Sequence, residues 1–292
     1  MKIEIDNKKR LINYLREQYK NVCSEEQIQR HIEEYVGFVF ADQMVSWIIS
    51  DGNNQGKILD IGSGYGSFVL RALQNNIDAV GIELSDFEVN FARDRLRKLM
   101  PKEDPFKIYI NGDACNLPFP AGTFSIVTLW NVLEHIEDKN MLIKEVKRVL
   151  KPNGHVYLIC PNYASFRKEA HYHVQWYPFL PRKLVLTYLR KNKKNPVFFE
   201  NYIYPGTNWG IILLFAKNKF KIVETEAYQN KINNPDSIKN KKVRKGVIIL
   251  KGLRVVFILH IALFIVVLIK RIRLLNPFKH SVVLHMQKKG EV

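Results

Sequence analysis

The sequence predicts a doubly wound α/β fold, a mainly parallel seven-stranded sheet with helices on both faces. Three observations carry that prediction. Five short apolar runs rich in β-branched and aromatic residues occur between residues 57 and 159. Helical segments separate most of them. A glycine-rich turn stands directly between the first run and the first of those helices. Strands alternating with helices imply a parallel sheet covered on both faces.

Taken in order, residues 1–50 read as a helical cap, because Leu11, Tyr14, Leu15 and Tyr19, then Phe40, Met44, Trp47 and Ile48, repeat at helical spacing. The turn-rich run Asp51–Gly56 ends it. The core, 51–162, holds the predicted strands Lys57–Ile61, Ala79–Glu83, Phe106–Ile110, Phe124–Trp130 and His155–Ile159. Helices are expected over 67–75, 86–100 and 138–150, with Lys151–Gly154 as a Pro/Gly stop. Residues 163–219 form an insert rich in Tyr, Trp, Phe, His and Pro, with a basic tract at Arg190–Lys194. In 220–292, Phe220–Tyr228 and Ser281–Gln287 read as closing strands, and an apolar helix over 247–272 stands between them.

The chain has 292 residues, enough for one large core or two modest ones, and 47% of them are hydrophobic, which excludes a disordered chain. Cys23, Cys115 and Cys160 form no C-x-x-C pair, so reduced thiols are expected and a metal site is not. The first residues lack the apolar stretch of a signal peptide, which places the expected location on the cytoplasmic side. Net charge is +17, unevenly spread. Residues 1–162 carry 20 basic and 22 acidic residues, whereas 163–292 carry 25 basic and 6 acidic ones. The second half should therefore meet something anionic.

The strongest local signal is Asp60-Ile-Gly-Ser-Gly-Tyr-Gly66. Gly62, Gly64 and Gly66 allow a tight turn and close approach of a ligand to the backbone, and the helix that follows offers unpaired N–H groups. Glu83 ends the second strand, where an acid can accept from both ribose hydroxyls of a nucleotide. Asp113 follows the third strand, where it can read the amine of adenine. With these residues in place, 57–162 resembles the small-molecule branch of the class I S-adenosylmethionine-dependent methyltransferases. The resemblance rests on Lys57–Gly66, Gly81–Ser85, Gly112–Phe119, Leu129–Ile136 and Leu150–His155. It implies that Asp60 and the loop glycines hold the methionine moiety of S-adenosylmethionine and Glu83 its ribose. Asp113 and Ala114 would hold the adenine, and Leu84 and Asn131 would line the site. NAD is disfavoured, since its G-x-G-x-x-G pattern would place a glycine where Ser67 stands.

Methyl transfer from a sulfonium is an in-line displacement, so alignment and exclusion of water are the main demands. An oxygen acceptor gains from a base, and His135, His171 and His173 are the candidates. His135 follows the fourth strand. His171 and His173 belong to the insert, whose aromatic character resembles, more loosely, inserts of bacterial methyltransferases acting on surface glycans or their lipid-linked precursors.

Val255–Ile269 contains no Lys, Arg, Asp or Glu, yet as a helix it spans roughly 22 Å, short of the roughly 30 Å of a bilayer core. A crossing helix would also strand the last strand on the wrong side. Lys241, Lys242, Arg244 and Lys245 before it and Lys270, Arg271 and Arg273 after it favour attachment to an anionic membrane face, peripheral or monotopic. The expected function is methyl transfer to a membrane-proximal acceptor, an oxygen of a lipid-linked saccharide or related lipid. A methyltransferase acting on RNA or a soluble small molecule is the alternative, and a non-catalytic membrane adaptor a third. No nucleic-acid partner is expected, because Asn131–Glu134 is not the signature of enzymes that methylate base amines and long aliphatic runs interrupt the basic half.

Overall fold

A computed structural model of the chain describes residues 5–166, 168–178, 180–223 and 281–290. The chain divides into two compact units, 1–223 with 278–292, and 224–277. The second lies outside the described residues, as do the apolar helix expected over 247–272 and the end of the strand expected over Phe220–Tyr228.

The cap consists of α1 (Ile5–Gln18), α2 (Glu25–His31), a π-helical turn over Ile32–Val36, and α3 (Val39–Ser50). Ser24 and Gln27 form a reciprocal capping box that fixes the start of α2. The core then runs β1 (Ile58–Ile61), α4 (Ser67–Gln74), β2 (Ala79–Glu83), α5 (Asp86–Leu99), α6 (Pro105–Ile108), β3 (Tyr109–Asn111), β4 (Phe124–Trp130), α7 (Lys139–Val149) and β5 (Leu150–Pro161). The insert contributes α8 (Arg182–Lys191), α9 (Val197–Tyr202) and α10 (Asn208–Lys217) before β6 (Phe220–Ile222) and β7 (Ser281–Lys288) close the sheet.

The sheet has seven strands in the order β3-β2-β1-β4-β5-β7-β6. β1 pairs in parallel with β2 and β4, and every one of its residues is buried, because helices cover both faces. One face packs Leu59, Ile61, Leu129, Ile143, Val146 and Phe215, and the other packs Ile48, Phe68, Val69, Leu96 and Trp130. Each such side chain contributes about 1.5–3 kcal/mol by leaving water. β7 runs antiparallel to both β5 and β6, with His155 opposite Gln287 and Phe220 opposite Lys288.

Two elements differ from the sequence reading. The expected strand Phe106–Ile110 begins as the short helix α6, since Asp104 accepts from the Phe106 N–H and Pro105 occupies the first helical position. Only Tyr109–Asn111 joins the sheet. α7 ends at Val149, just before the expected stop, but β5 begins at Leu150 rather than His155, and within it the pairing jumps from Phe124–Leu150 to Ile126–His155 and Asn153 takes a φ of +60°. The irregularity absorbs the Pro/Gly residues without ending the strand. Among the described residues, no helix is long and apolar enough to cross a membrane.

Cap and insert meet at the C-terminal ends of the parallel strands. Val22 packs among Tyr163, Tyr172, Trp176 and Phe199 of the insert. Lys194 Nζ donates to the Val22 carbonyl at 2.6 Å, and the Asn195 N–H to the Asn21 carbonyl at 3.0 Å.

Candidate active site

The chain leaves β1 through a loop that only glycine permits. Gly62 has a φ of +69°, and a Cβ there would lie 2.3 Å from Val132 Cγ2. Its N–H and that of Ser63 donate to the Ile82 carbonyl, which ties the loop to β2. A Cβ at Gly64 would meet only Glu88 Oε2, at 3.5 Å, so backbone is open to a ligand there. Gly66 has a packing role as well. It does not line the cavity, and a Cβ on it would strike the Tyr109 hydroxyl at 2.6 Å and Ala92 Cβ at 2.8 Å. Its glycine is required by the packing beneath the loop.

Asp60 is 2% exposed, and the Thr128 hydroxyl donates to its Oδ1 at 2.6 Å. Burial, helped by the charge of Glu83 and opposed by the Thr128 hydrogen bond, pushes its carboxyl up to about 8. Glu83 is held by the Gly64 N–H at Oε2 and the Ser85 N–H at Oε1, both at 3.0 Å. Each oxygen keeps a lone pair for a further donor. Asp113 is fixed by the Cys115 N–H, at 2.8 Å. Leu84, 72% exposed, and Ala114 sit beside it on the cavity wall. Asn131 holds a φ of +56° immediately after β4 and reaches the Tyr35 hydroxyl at 3.5 Å.

Glu88 was not singled out from the sequence. Its N–H is capped by Ser85 Oγ, so an acid there reads as an ordinary first-turn residue of α5. In the fold it is half-buried, and desolvation together with the charge of Glu83 pushes its carboxyl up to about 8.

Another part of the wall carries the histidines. Leu133–His135 forms a single 3₁₀ turn after β4. His135 Nδ1 lies 2.7 Å from the Tyr202 carbonyl, which only accepts, so Nδ1 carries the proton and Nε2 is the acceptor of the neutral ring. Burial, with the charge of His171, lowers its pKa to about 4. His171 Nδ1 lies 3.1 Å from Oε1 of Glu169, which is 1% exposed. Burial alone would raise the Glu169 carboxyl, but His171, the Tyr172 N–H and the Tyr163 hydroxyl hold it at about 2. His173 has a φ of +56°, and burial lowers its pKa. The rings of His135 and His171 meet edge to face at 5.0 Å. Glu134, His135 and His171 each offer a ligand atom within 4.8 Å of the others, a juxtaposition no linear spacing announced.

One cavity of about 510 Å³ joins both walls, within the ~300–1,000 Å³ usual for ligand sites. Asp60, Gly62, Gly64, Glu83, Leu84, Asp113, Ala114 and Asn131 line it, together with His135, His171 and His173. Tyr14, Tyr19 and Phe40 of the cap and Phe198 and Tyr202 of the insert also line it.

Known proteins share this frame. The methyltransferase-domain family matches residues 59–158. The 27-O-demethylrifamycin SV methyltransferase of Amycolatopsis mediterranei is 32% identical over 119 residues, covering 39% of this chain and 43% of that protein. The norajmaline N-methyltransferase of Rauvolfia serpentina is 36% identical over 104 residues, covering 35% of each. The matches thus span less than half the length of these relatives. A solved S-adenosylmethionine-dependent methyltransferase from Mesorhizobium loti shares the fold, with a TM-score of 0.50 at 15% identity over 85% of this chain and all of that one. Residues 59–158, with the glycine loop between β1 and α4, thus match the methyltransferase-domain family, and the fold around them is shared with a solved S-adenosylmethionine-dependent methyltransferase.

Proposed function

We propose that the chain transfers a methyl group from S-adenosylmethionine to an oxygen of a membrane-proximal acceptor, a lipid-linked saccharide or related lipid. One observation carries the reading. A single cavity is lined both by carboxylates gathered round an open glycine loop and by four histidines, His31, His135, His171 and His173. Buried Asp60, with no ion pair among the described residues, suits a cationic ligand, and Gly64 leaves room for it. The cofactor supplies, when bound, an electrophilic methyl group on a sulfonium. Asp60 would hold its ammonium, Glu83 its ribose, and Asp113 with Ala114 its adenine, while Leu84 and Asn131 border it. Tyr14, Tyr19 and Phe198 keep water from the reacting atoms. The histidine wall orients the acceptor hydroxyl and takes part in removing its proton.

The membrane-proximal part of the reading rests on the sequence. The excess positive charge of 163–292 and the uncharged run Val255–Ile269 suit an anionic lipid surface. A soluble small molecule is the second reading, favoured by relatives named for rifamycin and norajmaline.

Calorimetry should show S-adenosylmethionine binding and no NAD binding. Glu83→Ala should weaken binding by about 1.5–3 kcal/mol, the worth of hydrogen bonds to a charged group; unchanged affinity would remove the ribose assignment. Supplied with methyl-labelled cofactor, the purified chain should label a bacterial lipid extract. Label confined to an aqueous metabolite fraction would favour the second reading. In cells the chain should sediment with membranes through a salt wash, and Ser at Phe257, Leu263, Phe264 and Val267 should release it.

A further inference from the structure

We propose that Glu134, His135 and His171 hold a divalent transition-metal cation, which binds the acceptor's hydroxyl oxygen and favours loss of its proton. This rests on reading the histidine wall as the acceptor side of a methyltransferase cavity.

The first support is the ligand set. One carboxylate oxygen and two imidazole nitrogens lie within 4.8 Å of one another, on a wall of the cavity. Glu134 is 3% exposed and lines the cavity. Two imidazoles and one carboxylate suit zinc and its neighbours rather than magnesium or calcium, which prefer oxygen ligands alone. Three protein ligands also leave a coordination position for an incoming oxygen.

The second support is independent of the first: both rings are already oriented as metal-ligating histidines are. His135 gives its Nδ1–H to the Tyr202 carbonyl, and His171 places Nδ1 on the carboxylate of Glu169. In each ring Nε2 is then the nitrogen that takes the metal. An outer partner of this kind, a backbone carbonyl or a carboxylate, fixes tautomer and ring direction in most such sites. Glu169 is itself anchored by the N–H groups of His171 and Tyr172 and by the Tyr163 hydroxyl. So many donors on one buried carboxylate make a rigid support, more than a surface loop needs.

Chemically, the bound cation acts as a Lewis acid on the acceptor oxygen. The hydroxyl proton passes to solvent, and a lone pair of that oxygen forms the new O–CH₃ bond. The C–S bond breaks with its electron pair returning to sulfur, which leaves as a neutral thioether. No redox change occurs.

The test titrates the metal-stripped full chain with cobalt(II), read by visible absorption, and with zinc, read by calorimetry. One site per chain is expected, with cobalt bands in the d–d region. His135→Gln and His171→Ala should abolish that saturable binding. Glu169→Gln should weaken it about 10- to 100-fold, the usual effect of losing an outer partner. Binding of the demethylated cofactor product, measured in parallel, should be unchanged in each variant, which also reports that each is folded. If cobalt gives no saturable signal, or His135→Gln and His171→Ala bind it like the parent, the metal site is overturned. The methyltransferase reading then still stands wherever the demethylated product binds with Glu83-dependent affinity, and it falls separately if that product does not bind at all.

Discussion

In the ligand-free chain at neutral pH, the Asp60 carboxyl, pushed up to about 8, keeps its proton. A cation placed beside it favours the ionised form, so binding expels that proton. Affinity for the cationic cofactor should therefore rise with pH from about 6.5 and level off above about 8. Glu88, also pushed up to about 8, adds an effect of the same sign. Asp60→Asn should flatten most of the slope and weaken binding at pH 8. A pH-independent affinity in the parent chain, measured calorimetrically, would show that no cation settles there. Asp60, Glu83 and Asp113 were legible in the sequence because a strand end has a fixed relation to the residues beside it. Glu88 was not, since an acid in the first turn of a helix has a sufficient local explanation. Nor was the meeting of His135 with His171, which depends on how the insert folds back over the sheet.

At the scale of elements, the glycine loop and the turn after β4 form one packed unit, because Val132 fills the space where a Cβ of Gly62 would be. Gly62→Ala meets that side chain and also holds alanine at a φ of +69°. It should destabilise the chain by about 1–3 kcal/mol, and cofactor affinity should fall with it. Adding Val132→Ala relieves the clash but not the backbone strain, so it should recover only part of the loss on thermal denaturation. Full recovery would mean that backbone conformation contributes nothing. The helix-strand alternation was legible because apolar period survives tertiary packing. The start of β3 was not, since Asp104 and Pro105 together impose a helical turn on residues whose side chains favour a strand. The interior of β5 escaped notice because a Pro-Asn-Gly sequence ordinarily ends an element, and here a register shift accommodates it.

Across the whole molecule, a buried polar cluster ties the closing strand to the end of the cap. His285 Nε2 lies 2.8 Å from His155 Nδ1, and its ring stacks on Tyr157 at 4.2 Å. Tyr157 in turn donates to Asp51, whose Oδ2 stands 3.1 Å from His285 Nδ1 without hydrogen-bond alignment. Burial, with the charge of His155, lowers the His285 pKa to about 3. The unfolded chain takes up a proton there near 6.5 while the folded one resists it. The stability this residue contributes is thus complete above about pH 6.5 and is lost as pH falls toward 3. His285→Gln should show a shallower fall in denaturation midpoint between pH 6.5 and 4 than the parent. Equal slopes would mean that the cluster does not couple acid to the sheet.

The position of β7 has a consequence for how the chain comes into being. Among the described residues, β6 pairs with the sheet through β7 alone, and β5 has β7 as its neighbour on that side. Synthesis proceeds from the N-terminus, so the glycine loop, the carboxylates Asp60, Glu83 and Asp113 and the histidine wall emerge while β5 still presents an open edge. Everything from 224 to 280, the uncharged run included, is made before that edge is covered. During this interval the nascent chain has a pocket but an unfinished sheet, and its exposed edge is where another strand could pair in error. The last strand therefore acts as a clasp on the edge that β5 otherwise leaves open.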